Sequence, residues 1–531
     1  MRKHAPIVLI LAIAALARFW AIDFGLPSPL CRPDEEAVVS IAVSAFSRHY
    51  NPNFFDWPTL FMYMVAISMV PLFKIGRWIG WFRSEFHFFQ VITSSYTPVI
   101  VHARVVSAAM GVLSVWLLYR IARRLFDQTT ALVAALFLAL AFLHARDSHF
   151  GVTDVSATAF VLASFLFVVR FRESSLPRDF FAAAVFAGLA TSTKYNAAVV
   201  ALPALWVVLS PERPEGGPWL SRIGRAVLFG FVMATAFVLT TPYSVIEFNR
   251  FASALRGVSA HLAIGHGVML GRGWGVHLAS SLRHGIGEPM LVAGLAGLAL
   301  LVIRQRRKGI IVAIFPVVYY GIIGGGYTVF ARYILPVVPF LCLAAAYAVR
   351  EAGDWLAARL GRPARSAMAA WGLALIVVAP SAWSLVQFDW LLGQTDSRVL
   401  VARWIEVRFP AGARIAEMGP LSTHLHFWPS GIGALVPHQH VELSPGVAEP
   451  DILVVPTSPR DPGFRLPAEA VSLAARYELR FAVVAYDVTA RGNVYDWQDE
   501  FYLPVAGFNG IRRPGPNLAI YVRPGFSGLA R

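Results

Sequence analysis

The stretch LCRPDEEAVV places Asp34, Glu35 and Glu36 directly after the first apolar run, with Arg32 two residues before the first carboxylate. A carboxylate held at such a point can take the proton of an attacking hydroxyl, and a neighbouring one can orient that hydroxyl. Successive helical residues point about 100° apart, so three adjacent acids cannot share one target. Ala37, Val38, Ile41 and Ala42 continue an apolar face beside Asp34 and Glu35, which makes these two the inward pair and leaves Glu36 to turn to solvent. The competing account is an interfacial helix begun at Pro33, whose acids simply favour the positive end of the helix dipole.

A second group lies in HARDSHFGVTDVSATAF, where His144, Arg146, Asp147, His149 and Asp154 flank the outer ends of two apolar runs. A charged group at the centre of a membrane span costs about 2.5–3.5 kcal/mol on insertion scales, so such a cluster belongs near water or a partner. Lys194, in GLATSTKYNA, and the pair Arg332 and Tyr333, in FARYILPVVPF, stand at the ends of further runs. Each could be a snorkelling or interfacial residue. Together, Lys194 and Arg332 supply two fixed cations suited to a phosphate at the membrane surface. Arg146, His149 and His266 are candidate contacts to an acceptor or a covering loop. His261, His266, His277 and His284 match no compact metal-ligand spacing. A GxxxxGKS phosphate loop, a GxSxG elbow and an HExxH helix are all missing from the sequence, which leaves ATPase, serine hydrolase and zincin chemistry unsupported.

The elements that must position these residues follow from composition. Of 531 residues, 57% are hydrophobic and only 15% charged, against about 25% charged in soluble chains, so a polytopic α-helical membrane protein is expected. Apolar runs predict about eleven spans, near 6–22, 99–119, 129–145, 153–171, 179–193, 196–210, 223–241, 286–303, 309–324, 333–350 and 367–387. The first is expected to be an uncleaved helix, since no small-x-small site follows it. Arg-rich loops such as RIARRLF, RFRESSLPRD and RQRRKG then fall on one side, which is expected to be the cytoplasm. Segment 57–76 is apolar enough to cross, but a crossing there would move every later Arg-rich loop outside; it is expected to be re-entrant or interfacial. The net charge of +15 is thereby a matter of topology and not of nucleic-acid binding. Cys31 and Cys342 form no disulfide framework.

A transmembrane domain is expected over 1–388, with an acidic first outer loop at about 23–98. A small soluble α/β domain is expected over 389–531: a helix in DSRVLVARWIEVRF, then strands in ARIAEM, DILVVP, RFAVVAYDV and NLAIYVRP.

Asp34-Glu35 after the first span, SHFGVTDVSATAF, GLATSTKYNA and RYILPVVPFLCLAAAY occur in this order, and the set resembles the GT-C superfamily of membrane glycosyltransferases. The specific likeness is to the bacterial family 39 and aminoarabinose-transferase-like group, related to protein O-mannosyltransferases, over about residues 5–350. That resemblance implies a GT-C fold of about 11 to 13 transmembrane helices in a bacterial inner membrane, with an extracytoplasmic C-terminal domain. It implies transfer of a sugar from a polyprenyl-phosphate donor to a protein, glycan or lipid acceptor. Asp34 would be the base, with Glu35 beside it and Asp154 the second acid, while Lys194, Arg332 and Tyr333 would hold the donor phosphate. No cofactor is required, although a divalent metal at the Asp sites is compatible. The family often carries an aromatic residue or His shortly after Asp-Glu, whereas Glu36, Ala37, Val38 and Val39 follow here. A transporter or flippase using the same charges as a pathway, and a non-catalytic scaffold, are the alternatives.

Overall fold

The computed structural model describes residues 5–47, 49–210, 219–427, 438–441, 449–460 and 465–526. The chain divides into two units. The first comprises Met1–Phe19, Ser44–Ala66 and Arg104–Leu385, and the second Trp20–Val43, Ile67–Ala103 and Val386–Arg531. The acidic turn and the C-terminal domain therefore belong to one unit, while Asp154, Lys194 and Arg332 belong to the other.

The first unit is helical, and each apolar run expected to span coincides with helix. Among the described residues six helices are long and apolar enough to cross a membrane, or eight if each of two bent pairs counts as one span. Leu60–Trp78, expected to be apolar enough to cross but re-entrant or interfacial, is by length and composition one of the six. Burial sorts the long helices by environment. The apolar windows of Thr153–Ser174 and Ala331–Arg359 are 83% and 89% buried, whereas that of Trp219–Thr240 is 11% buried. A helix that is apolar on all sides is stable in the first setting because protein surrounds it and in the second because lipid can. Small residues bring the central helices close: a Cβ at Gly297 would fall 1.9 Å from Ala344 O.

One bend is built around Ala141, where Gln128–Leu140 meets Phe142–Ser148 at 57°. A buried helix end leaves carbonyls without partners, and in a bilayer these must be satisfied by protein. Arg18, fully buried, donates to Leu138 O and Ala139 O, each at 3.0 Å. Ser381 Oγ donates to Leu140 O at 3.0 Å and accepts from Phe142 N at 2.9 Å. Gly111 makes room, since a Cβ there would lie 2.4 Å from Ser148 Oγ and 2.9 Å from Arg18 Cδ. The other bend, 113° between Gly273–Ile286 and Glu288–Arg304, turns at Gly287, whose φ of +82° suits glycine.

In the second unit, a five-stranded sheet has the order β2-β1-β3-β5-β4, from β1 (Arg414–Glu417), β2 (Gln439–His440), β3 (Ile452–Thr457), β4 (Glu478–Val483) and β5 (Asn517–Val522). β1 pairs parallel with β2 and β3, while β5 pairs antiparallel with β3 and β4. The helix Ser397–Arg408 is capped by Asp396, whose carboxylate accepts from Arg398 N, and it packs Val401, Ala402 and Ile405 against Ile415, Ile452 and Ile520. β4 stops earlier than the apolar run RFAVVAYDV suggests. Asn517 Oδ1 accepts from Ala485 N and Tyr486 N, at 2.7 and 3.0 Å, and replaces the ladder there.

Candidate functional site

In the first unit, helix ends bring the expected cations together with one acid. Asp154 lies in the first turn of Thr153–Ser174, where the dipole favours a carboxylate. Lys194 is the residue at which the helix Pro177–Thr193 ends, and its N–H still donates to Ala190 O at 2.9 Å. Its extended backbone, φ −154° and ψ 122°, sends the chain into the 3-10 turn Tyr195–Val200. Arg332 and Tyr333 sit in another 3-10 turn, Ala331–Val337, whose Pro336 has no N–H to give an α-helical ladder.

Lys194 Nζ donates to Asp154 Oδ1, and the ammonium also lies 4.6 Å from the centroid of the Tyr333 ring. The Asp154 side chain is 4% exposed and that of Lys194 15%, so the pair is shielded but open on the lysine side. An ammonium has three donors, which leaves Lys194 capacity for a further anion. The Arg332 guanidinium stacks 4.2 Å over Phe330 and 6.0 Å from the Tyr333 centroid. Tyr333 is held in turn by Tyr319, whose hydroxyl donates to Tyr333 O at 3.1 Å. His266 packs against Phe330 at 5.2 Å between ring centroids, with His261 5.3 Å from His266. Thr328 Oγ1 donates to His261 O at 2.6 Å and Tyr327 N to Leu262 O at 2.9 Å, which ties this loop to the segment before Arg332.

Asp154, Lys194, Arg332, Tyr333 and His266 thus share one neighbourhood. Arg146 and His149, the other two expected contacts, are enclosed by protein. Both are fully buried: Arg146 Nη1 donates to Asp147 Oδ1 at 3.2 Å and its guanidinium lies 5.2 Å from the Phe150 ring, while His149 Nδ1 is 3.0 Å from Ala145 O.

The acidic turn belongs to the second unit. The helix begins at Glu35, one turn element later than Pro33 suggests, because Asp34 has φ +75° and stands outside it. Glu35 is fully buried and Asp34 partly so. Val38, Val39 and Ala42 bury the apolar face. Glu36, expected to reach solvent, is only partly exposed, and its Oε2 is buried with no hydrogen-bond partner among the described residues. Burial pushes the Glu36 carboxyl up to about 7, and the neighbouring charges of Asp34 and Glu35 push the same way. The turn itself is gripped by the C-terminal domain, through Arg32 and Asp499 at 2.8 Å and through Arg398 Nη1, which donates to Leu30 O at 3.1 Å.

Sequence reasoning missed Phe330 and Asp499. Phe330 carried a usable signal, an aromatic two residues before an interfacial Arg. Asp499 lies 467 residues from Arg32, and no local pattern connects them.

Residues 87–246 match the family model described as dolichyl-phosphate-mannose-protein mannosyltransferase, a span that contains Asp154 and Lys194 but neither Asp34 nor Arg332. No curated protein matches the chain. Among solved structures, ArnT from Cupriavidus metallidurans bound to undecaprenyl phosphate is 15% identical, covers 99% of this chain and 100% of its own, and has a TM-score of 0.55. Its apo state matches at 15% identity, with 100% of both chains covered and a TM-score of 0.55. The archaeal oligosaccharyltransferase AglB from Archaeoglobus fulgidus is 13% identical, over 76% of this chain and 58% of its own, with a TM-score of 0.49. The chain has the fold of ArnT, and its described helices are long and apolar enough for a multi-pass membrane protein.

Proposed function

We propose that the chain is a glycosyltransferase that moves a sugar from a polyprenyl-phosphate donor to an acceptor at the outer face of a bacterial inner membrane. The observation that carries this is the grouping of Lys194 and Arg332 on two aromatic supports, Tyr333 and Phe330, with Asp154 orienting the lysine. Two cations that stand this near lipid-soluble helices suit a phosphate that arrives on a long isoprenoid chain. ArnT, whose fold this is, has been solved with undecaprenyl phosphate, which supports the same class of carrier here.

In the proposed reaction the acceptor hydroxyl gives its proton to Asp34, and its oxygen forms a bond to the anomeric carbon. The bond from that carbon to the phosphate oxygen breaks, and the phosphate departs with the electron pair. Lys194 and Arg332 stabilise the charge that grows on it. The sugar passes through an oxocarbenium-like state, and a single displacement inverts the anomeric configuration. A well-placed base contributes about 10²- to 10⁴-fold. A phosphate held by two cations leaves readily, so no separate acid is required. Glu35 assists Asp34, and Asp154 acts through Lys194.

The direct test is mass spectrometry of envelope glycans, glycolipids and glycoproteins from cells with and without the chain. A product that gains one sugar only when the chain is present supports transfer. Identical envelopes, with an unchanged pool of polyprenyl-phosphate sugars, would contradict it.

A further inference from the structure

The segment that carries the acids is clamped from the far end of the sequence. Arg32 is fully buried, Asp499 is 2% exposed, and Arg32 Nη1 donates to Asp499 Oδ1 at 2.8 Å. The same guanidinium lies 5.9 Å from the Phe501 ring, which meets Phe24 edge to face at 5.9 Å. Two residues earlier the backbone is held again: Arg398 Nη1 donates to Leu30 O at 3.1 Å and to Ser422 O at 2.6 Å, while its other nitrogens donate to both carboxylate oxygens of Asp396, at 2.9 and 2.7 Å. Between these grips Cys31 is buried, and Sγ donates to Gly25 O at 3.0 Å. Gly25 has φ +70°, and a Cβ there would fall 2.4 Å from Cys31 Cβ. The segment therefore enters Asp34 from a fixed direction.

Asp34 itself is in the left-handed region, which costs a non-glycine residue energy and persists only when the surroundings impose it. Asp499 is well placed to impose it. It lies in a buried turn, donating its N–H to Asp496 O at 3.1 Å, and Arg460 donates to Trp497 O at 3.3 Å within the same stretch. A carboxylate at position 499 also fixes where the Arg32 charge points.

We propose that Asp499, acting through Arg32, is a positioning residue that holds the Asp34–Glu35 turn in its working conformation. The inference rests on the assignment of Asp34 as the base. It gives the C-terminal domain a part in the reaction: the domain is the anchor of the catalytic turn.

The experiment follows the sugar-bearing envelope product in cells that make the full chain and supply their own polyprenyl-phosphate sugars, normalised to folded protein by thermal unfolding of detergent extracts. Asp499→Asn is expected to lower product formation on the order of 10- to 100-fold, the cost of slight misplacement of a reacting group. Asp499→Glu is expected to recover most of the loss. The double variant Arg32→Met with Asp499→Leu removes both charges of the pair together, so it is expected to unfold near the wild-type temperature while product formation stays low. Wild-type product from Asp499→Asn, or full recovery in the apolar double variant, would overturn the positioning role. Asp34→Asn separates this from the parent assignment. If Asp34→Asn is inactive while Asp499→Asn is normal, only the positioning role falls. If Asp34→Asn forms product normally, the assignment of the base falls and the positioning role with it.

Discussion

Lys194 donates to Asp154 across two helix ends, and the face of Tyr333 lies 4.6 Å from the same ammonium. In the proposed reaction the acid holds one cation where an incoming phosphate can share it.

That relationship makes Asp154→Asn informative. Removing one partner of a shielded pair leaves an uncompensated charge and costs up to about 3–5 kcal/mol in the buried limit, less here because Lys194 is partly exposed. Thermal unfolding in detergent is expected to show a loss of stability. The double variant Asp154→Asn with Lys194→Met is expected to regain that stability and still transfer no sugar. Recovery of transfer in the double variant would show that the pair serves the fold alone.

Arg332 offers a planar guanidinium to the Phe330 face, which a lysine cannot reproduce. Arg332→Lys is expected to raise KM for the lipid donor about tenfold, equivalent to roughly 1.4 kcal/mol, with a smaller change in kcat. Steady-state kinetics over donor concentration measures it. Removing the shelf, with Phe330→Leu, is expected to act in the same direction and more weakly.

Glu36 sets a pH dependence of stability. Its folded carboxyl titrates at about 7 against 4.5 for an ordinary glutamate, so between these values the folded state binds more protons than the unfolded one. Stability therefore falls as pH rises through that window, by at most about 3 kcal/mol, and is flat on either side. Glu36→Gln is expected to remove this slope and to raise the unfolding temperature at pH 8, with transfer within about twofold of wild type. Unfolding temperatures of the two proteins across pH 4 to 8 give the comparison. A slope unchanged in Glu36→Gln would show that another group produces it.

Which parts of this molecule were legible in its sequence follows from where the information sits. Lys194 and Asp154 are visible as charges at the ends of apolar runs, a place that snorkelling and interfacial residues also occupy, and both mark the ends of neighbouring helices. Helix positions were legible for the same reason, from apolar runs bounded by charge and Pro. The number of crossings was not. The bend at Ala141 depends on Arg18 and Ser381, far away in sequence, and neither residue announces that it will satisfy a broken helix. Glu36 was misread because a period of 100° sorts inside from outside only when one side of a helix is covered, and here this residue is also partly enclosed. Asp499 lay beyond any local pattern, since its partner is fixed only by the folded C-terminal domain.

The central claim is that Asp34 takes the proton of the acceptor hydroxyl. The most direct measurement is the rate of sugar transfer from the polyprenyl-phosphate donor by Asp34→Asn in membranes, with its folding verified by thermal unfolding. Asparagine keeps the shape of the side chain and cannot act as a base. The account predicts a fall of roughly 10²- to 10⁴-fold with stable insertion retained. Transfer at the wild-type rate by folded Asp34→Asn would contradict it.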